Sequence, residues 1–214
     1  MPRELPWTIA APVTHELIVK KSRFLTHLRP TSSIAEADAF IAQVRKEHWS
    51  ANHNCVALVI GQTADQQRSS DDGEPSGTAG VPMLEVLRQR GVTDVTAVVT
   101  RYFGGVLLGA GGLIRAYGNA VSQGLDLARP VYRRHLHPVA VEVGHTQAGR
   151  LENLLRDWAR RHESSLQPTS YGAAATLHLL VPPPQADALR IFLAAETGGA
   201  VAPDIGPAAV HDVA

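Results

Sequence analysis

The sequence predicts an α+β protein built as two domains, and three observations carry that reading. Short runs of β-branched residues alternate with stretches whose apolar residues recur every three or four positions across the first 128 residues. The segment Arg129–Pro138 then breaks the pattern with prolines, arginines and histidines, as a linker does. The block after it reads strand, helix, strand, strand, helix, strand, which is the ferredoxin-like order. The expected domains are residues 1–134 and 138–214.

Each element has its own ground. His15–Val19 and Arg23–Leu28 read as short strands. Thr31-Ser32-Ser33 opens a helix: Ser33 and Glu36 have capping-box spacing, and Ile34, Ala37, Ile41 and Val44 make one apolar face. Cys55–Ile60 is apolar and β-branched, as in a buried strand, whereas Gly61–Ser70 is polar and is expected as an exposed loop. A helix follows from Val81, with Pro82 in its first turn and Gly91 as its stop. Val95–Thr100 is another strand. A helix from Leu113 to Ala128 places Leu113, Ala116, Tyr117, Ala120, Val121 and Leu125 on one side. In the second block, Val139, Val141 and Val143 alternate along a strand. Leu151, Leu154, Leu155 and Trp158 mark a helix, and Leu166–Ser170 a short strand with a turn at Tyr171-Gly172. Ala173–Val181 alternates again. A last helix carries Leu189, Phe192 and Leu193 and stops at Gly198-Gly199, before a final short strand near Val201. Trp7, Trp49 and Trp158 are expected as core or domain-edge anchors.

Composition narrows the function. The 214 residues are 44% hydrophobic and 19% charged, as in an ordinary globular chain, and only 5% aromatic, so the core is largely aliphatic. Lys+Arg and Asp+Glu both number 20, which excludes the overall basic character of a general nucleic-acid binder. Residues 1–137 carry 15 basic and 12 acidic side chains, so any polyanion contact is a local patch in the first block. The single Cys55 excludes an intrachain disulfide and a multi-cysteine zinc site. The N-terminus lacks the apolar region of a signal peptide, and no apolar run approaches the length of a membrane span. A cytoplasmic location is expected.

The residues that carry chemistry lie in the first block. Asp71-Asp72-Gly73-Glu74-Pro75-Ser76-Gly77-Thr78-Ala79-Gly80 sets three carboxylates in a stretch unsuited to helix or strand. It reads either as a metal or acid/base site or as an acidic loop that caps the next helix and pairs with arginines. It lacks the ligand spacing of an EF-hand. The run Arg101-Tyr102-Phe103-Gly104-Gly105, continuing through Gly109, Gly111 and Gly112 to Arg115 and Tyr117, links a strand to a helix. Such a junction can hold an anion, yet it is neither a P-loop nor a dinucleotide fingerprint. Arg115 falls in the first turn of the expected helix, where a cation needs acidic company. Asp71, Asp72 or Glu74 can supply it internally, and an RNA phosphate or an acidic protein partner externally; the internal pairing is expected. His53 and Cys55 share one face of their strand, which suits either a Cys-His nucleophile or a core thiol beside a bonded imidazole. Lys20-Lys21-Ser22-Arg23-Phe24 sets three cations beside an aromatic.

Taken together, Lys21-Ser22-Arg23-Phe24, Ala51-x-His53-x-Cys55, the Asp71–Gly80 loop and the Arg101–Tyr117 stretch closely resemble the YigZ/IMPACT family, over residues 15–128. The resemblance implies a first domain with the β-α fold of ribosomal proteins and of domain IV of elongation factor G, and a ferredoxin-like second domain. It implies a role in translation, since the eukaryotic relatives regulate initiation under amino-acid stress. It supplies no catalytic residues. The expected function is non-catalytic binding of RNA, the ribosome or a translation factor, with no cofactor or metal. The expected partner-binding residues are Arg23, Asp71, Asp72, Glu74, Arg101, Tyr102, Gly104, Gly105 and Arg115. A hydrolase using the Asp71–Glu74 loop with His53, with or without a metal, is the alternative.

Overall fold

The computed structural model describes residues 5–213. They divide into two compact units that meet in sequence at Tyr132 and Arg133.

In the first unit, β1 (Thr8–Ile9) precedes a hairpin of β2 (Val13–Val19) and β3 (Ser22–Pro30). Then come α1 (Ile34–Glu47), β4 (His53–Ile60), β5 (Gln66–Ser70), α2 (Gly80–Gln89), β6 (Val95–Tyr102) and α3 (Ala110–Asp126). Strands β2 to β6 form one antiparallel sheet in the order β2-β3-β6-β4-β5, which β1 does not join. β4 and β6 are central and buried along nearly their whole length. One face of the sheet packs under α2 and α3, around Phe24, Leu28, Cys55, Met83, Leu87, Val99, Tyr117 and Leu125. The other face is covered by α1 through Ala37, Phe40, Ile41 and Val44, against Val56, Leu58, Ile60 and Val98. Burying each such aliphatic side chain contributes about 1.5–3 kcal/mol. The capping signal at α1 is present in altered form. The Ser33 hydroxyl accepts from the Glu36 N–H, while the Glu36 carboxylate accepts from the Ser32 N–H and hydroxyl.

The second unit begins within β7 (Pro130–Val143), followed by α4 (His145–Arg161), β8 (Ser165–Leu166), β9 (Ser170–Tyr171), β10 (Ala175–Val181), α5 (Ala186–Thr197), β11 (Asp204–Ile205) and β12 (Ala209–Val213). Its sheet runs β11-β7-β10-β8, with β9 on β10 and β12 on β7. Val139, Val141, Val143, Leu177 and Leu179 turn inward against Leu151, Leu155, Trp158, Leu189 and Leu193. The order is strand, helix, three strands, helix, two strands, which is βαββαβ-like: the expected strand at Leu166–Ser170 is split into β8 and β9, both of which pair with β10, and β12 is an addition.

Several expectations change. Residues 129–138 are not an irregular linker: β7 starts at Pro130, and its first residues pair with β1. Pro130 stands at the strand start, where no ladder N–H is needed. The expected loop 61–70 ends in strand β5, a polar edge strand held by backbone pairing to β4 rather than by an apolar face. The last expected strand lies at Asp204–Ile205, beyond Val201. Trp7 and Trp158 are buried, but Trp49 is 83% exposed and anchors nothing.

Candidate functional site

The site is built on one rung of the first sheet. Phe24 of β3 and His53 of β4 both pair with Arg101 of β6, so the three side chains share a face. Along β6, Val95, Ala97, Val99 and Arg101 occupy successive inward positions, which commits the guanidinium to the interior. The Asp71–Gly80 loop delivers its counterion. Arg101 Nη1 donates to Glu74 Oε1 at 2.6 Å, with side-chain exposures of 7% and 3%. Tyr117 of α3 donates its hydroxyl to the same oxygen at 2.7 Å. His53 Nε2 lies 3.9 Å from the other Glu74 oxygen. The Arg101 guanidinium is 5.4 Å from the Phe24 ring centroid, and Phe24 meets Tyr117 edge-on at 5.1 Å.

The acidic loop spends its three carboxylates in three directions. Asp71 accepts from the N–H groups of Gly77, Ala79 and Gly80 at 2.8–3.0 Å, and so caps the start of α2. Partial burial pushes its carboxyl up, but those three N–H groups outweigh the burial and leave it below the usual carboxylate range. Asp72 accepts from the Asn54 N–H at 2.7 Å and from Arg45 at 2.8 Å. Its backbone carbonyl accepts from His53 Nδ1 at 2.9 Å, which fixes the imidazole proton on that nitrogen. Glu74 belongs to Arg101. Among the described residues no group of three His, Cys, Asp or Glu side chains is placed to hold a metal.

Cys55 is fully buried, and its Sγ donates to the Asp71 carbonyl at 3.0 Å. Burial pushes the thiol up to about 12, so it stays protonated at neutral pH and is not an activated nucleophile. Burial likewise pushes the Tyr117 hydroxyl up. The centre of the cluster is a buried ion pair: the Arg101 and Glu74 charges meet, the Arg101 Nε–H has no partner among the described residues, and the His53 Nδ1 proton is engaged.

The glycine run lies over this interior. A Cβ on Gly104 would fall 2.0 Å from the Lys21 carbonyl carbon, so only glycine lets the run approach the hairpin tip. Ser22 Oγ joins the layers, accepting from the Gly104 N–H at 3.2 Å and lying 3.4 Å from Arg101 Nη2. Gly105 and Gly109 have φ of 82° and 72°. Asn52 Oδ1 accepts the Phe103 N–H at 2.8 Å. Outside, Phe103, Val106 and Leu107 are exposed, and Leu107 is 82% so.

The structure thus gathers Asp71, Asp72, Glu74, Arg101, His53 and Cys55, with Gly104 and Gly105 above them. It does not bring in Arg115. α3 starts at Ala110, before the expected Leu113, which puts Arg115 in the second turn, exposed and without an ion pair among the described residues. The expected pairing of Arg115 with the acidic loop is overturned, because Glu74 turns inward to Arg101 instead. Tyr102 and Arg23 face the opposite side of the sheet. There the Tyr102 hydroxyl meets His48 Nδ1 at 3.0 Å, and Arg23 pairs with Glu16. Tyr117, Ser22, Asn52 and Asn54 were missed as site residues. The signal for Tyr117 was a hydroxyl on the otherwise apolar face of α3.

Similarity to known proteins bears on this arrangement. The family described as the Impact N-terminal domain matches residues 20–125, the span that builds the polar interior and the glycine run. The IMPACT family member YvyE of Bacillus subtilis is 51% identical over 151 residues, covering 71% of this chain and 70% of the relative. The IMPACT family member YigZ of Escherichia coli is 47% identical over 152 residues, covering 70% and 74%. A crystal structure of a hypothetical protein aligns over 95% of this chain and 97% of its own length, with 38% identity and a TM-score of 0.59.

Proposed function

This chain belongs to the IMPACT family, and from that premise we propose that it is a non-catalytic regulator of translation that binds RNA, the ribosome or a translation factor. The observation that carries the non-catalytic half is the Glu74–Arg101–Tyr117 interior. It is sealed, its carboxylate is consumed, and the neighbouring Cys55 is held as a thiol. Such a cluster shapes a surface rather than transforming a substrate. The partner-binding role is assigned to Gly104, Gly105 and Arg115 at the glycine run and α3, and to Tyr102 and Arg23 on the opposite side of the sheet. Arg101, Asp71, Asp72 and Glu74 act from beneath by fixing its shape.

The family resemblance supports the translational half. The cytoplasm is the assigned compartment, in keeping with a lone cysteine buried as a thiol. No helix among the described residues is long and apolar enough to cross a membrane. The first unit is assigned the β-α fold of elongation factor G domain IV. The second is assigned as ferredoxin-like, which its sheet order β11-β7-β10-β8 supports; superposition on solved domains of both types checks these assignments. The domains are proposed as residues 1–134 and 138–214. A chain ending at Arg134 that melts without a cooperative transition overturns that boundary.

Sucrose-gradient sedimentation of a lysate, with and without ribonuclease, tests the function. The protein is expected to travel with ribosomal fractions or with a discrete translation factor. Migration only at the top of the gradient, with no effect on translation in a cell-free system, overturns the reading.

A further inference from the structure

The rim of the glycine run combines exposed aliphatic side chains with cations that have no ion pair among the described residues. The β2–β3 hairpin turns through Lys20 and Lys21, with φ of 46° and 68°. A two-residue turn with positive φ at both positions favours Asn-Gly, so two lysines there forgo local stability. Both are exposed, and neither has an ion pair among the described residues. The Lys21 backbone abuts Gly104, which places the hairpin tip against the glycine run.

Arg115 belongs to the same rim. Tyr117 of α3 packs on Phe24, and a Cβ on Gly124 would touch Thr26 and Leu28, so α3 runs along β3 in the same direction. β2 is antiparallel to β3 and therefore runs opposite to α3. His15 of β2 bonds Gln123 of α3 at 2.9 Å. From that contact the strand carries the chain about 17 Å to Lys20. The helix retreats about 12 Å to Arg115 in the same direction. All three cations thus lie toward the same end of the unit, and Phe103 and Leu107 of the glycine run and Ile114, the neighbour of Arg115 on α3, are exposed. Glu16, the acid of this hairpin, is taken up by Arg23 on the other side of the sheet.

We propose that this rim, Lys20, Lys21, Arg115, Phe103, Leu107 and Ile114, docks an acidic amphipathic segment of a partner protein. The proposal deepens the binding reading above and rests on it. Charge complementarity asks for carboxylates or phosphates opposite the cations. The apolar component decides between them. A nucleic-acid strand is held by aromatic platforms, and the rim offers one phenyl ring among aliphatic side chains. Leu107 and Ile114 gain most from an apolar counterpart, which a helix bearing leucines between glutamates supplies.

Selection of a random peptide library displayed on phage against the intact protein tests this. Enriched sequences are expected to set carboxylates among apolar residues at helical spacing. A synthetic peptide of the enriched sequence should lose about tenfold or more in affinity with Leu107→Asp and with Arg115→Glu. Both variants are expected to melt as the wild type does, and Ile191→Asp on α5 serves as the unaffected control. No enrichment, enrichment without carboxylates, or affinity indifferent to both rim variants overturns the proposal. So does a uridine 20-mer that binds more tightly than the peptides and is weakened by Arg115→Glu, since that assigns the rim to RNA. The selection uses purified protein without ribosomes. Peptide binding alongside a negative sedimentation result would therefore overturn only the translational assignment.

Discussion

The interior and the rim of the glycine run use the same residue types for opposite ends. Beneath it, Arg101 is buried, bonded to Glu74 and flanked by Phe24. At its edge, Arg115 is exposed and unpaired among the described residues, next to exposed Ile114 on α3. A buried cation must be neutralised where it sits, or it costs several kcal/mol. An exposed one is already hydrated and stays available. Burial, not residue type, separates the arginine that holds the fold from the arginine that can meet a partner.

The sharpest break in that comparison comes from Arg101→Ala, which strands the Glu74 charge in the interior. A loss of about 3–5 kcal/mol is expected. Denaturant titration of the full chain checks it, and a loss under about 1 kcal/mol would show the pair to be solvated after all. Next in size is Asp71→Asn, which weakens the cap on the Gly77, Ala79 and Gly80 N–H groups, at a cost of about 1–2 kcal/mol at neutral pH. Its pH dependence has a definite sign. The folded-state pKa of Asp71 lies below the unfolded value of about 3.9. The stability it contributes is therefore complete above that value and disappears as pH falls through the folded pKa. The gap between wild type and variant should close in acid, and melts from pH 7 to pH 2.5 check it. Smallest is Arg115→Ala, expected to change stability by no more than about 0.5 kcal/mol. A large loss there would place Arg115 in the fold rather than at the rim.

The sequence made the framework readable where periodicity was strong. The Val95, Ala97, Val99 alternation and the α3 face both reappear as core. It hid elements held by backbone alone. Gln66–Ser70 has no apolar alternation, and only its pairing with β4 makes it a strand. Pro130 and Pro138 argued for a linker, yet one stands at the start of β7, and the Pro138 carbonyl accepts from the Gly206 N–H. At the site, the acidic loop and the arginines were visible, but their pairing was not. Glu74 reaches Arg101 and Tyr117 across the fold, and local pattern carries no record of such contacts. One signal did exist. Arg101 continues the inward alternation of its strand, and a charge at an inward position demands a carboxylate. Arg115 continues no such alternation, and the acidic company expected of a first-turn cation is not required once α3 starts at Ala110.

Ser22 has a consequence for motion. Its hydroxyl lies at the hairpin tip, under the Gly104 N–H and beside the Arg101 guanidinium. Fluctuations that lift the glycine run must therefore give up a bond to the hairpin, and fluctuations that peel the hairpin expose the buried arginine. One hydroxyl thus ties the two loops to each other and to the ion pair, so opening either loop disturbs the other.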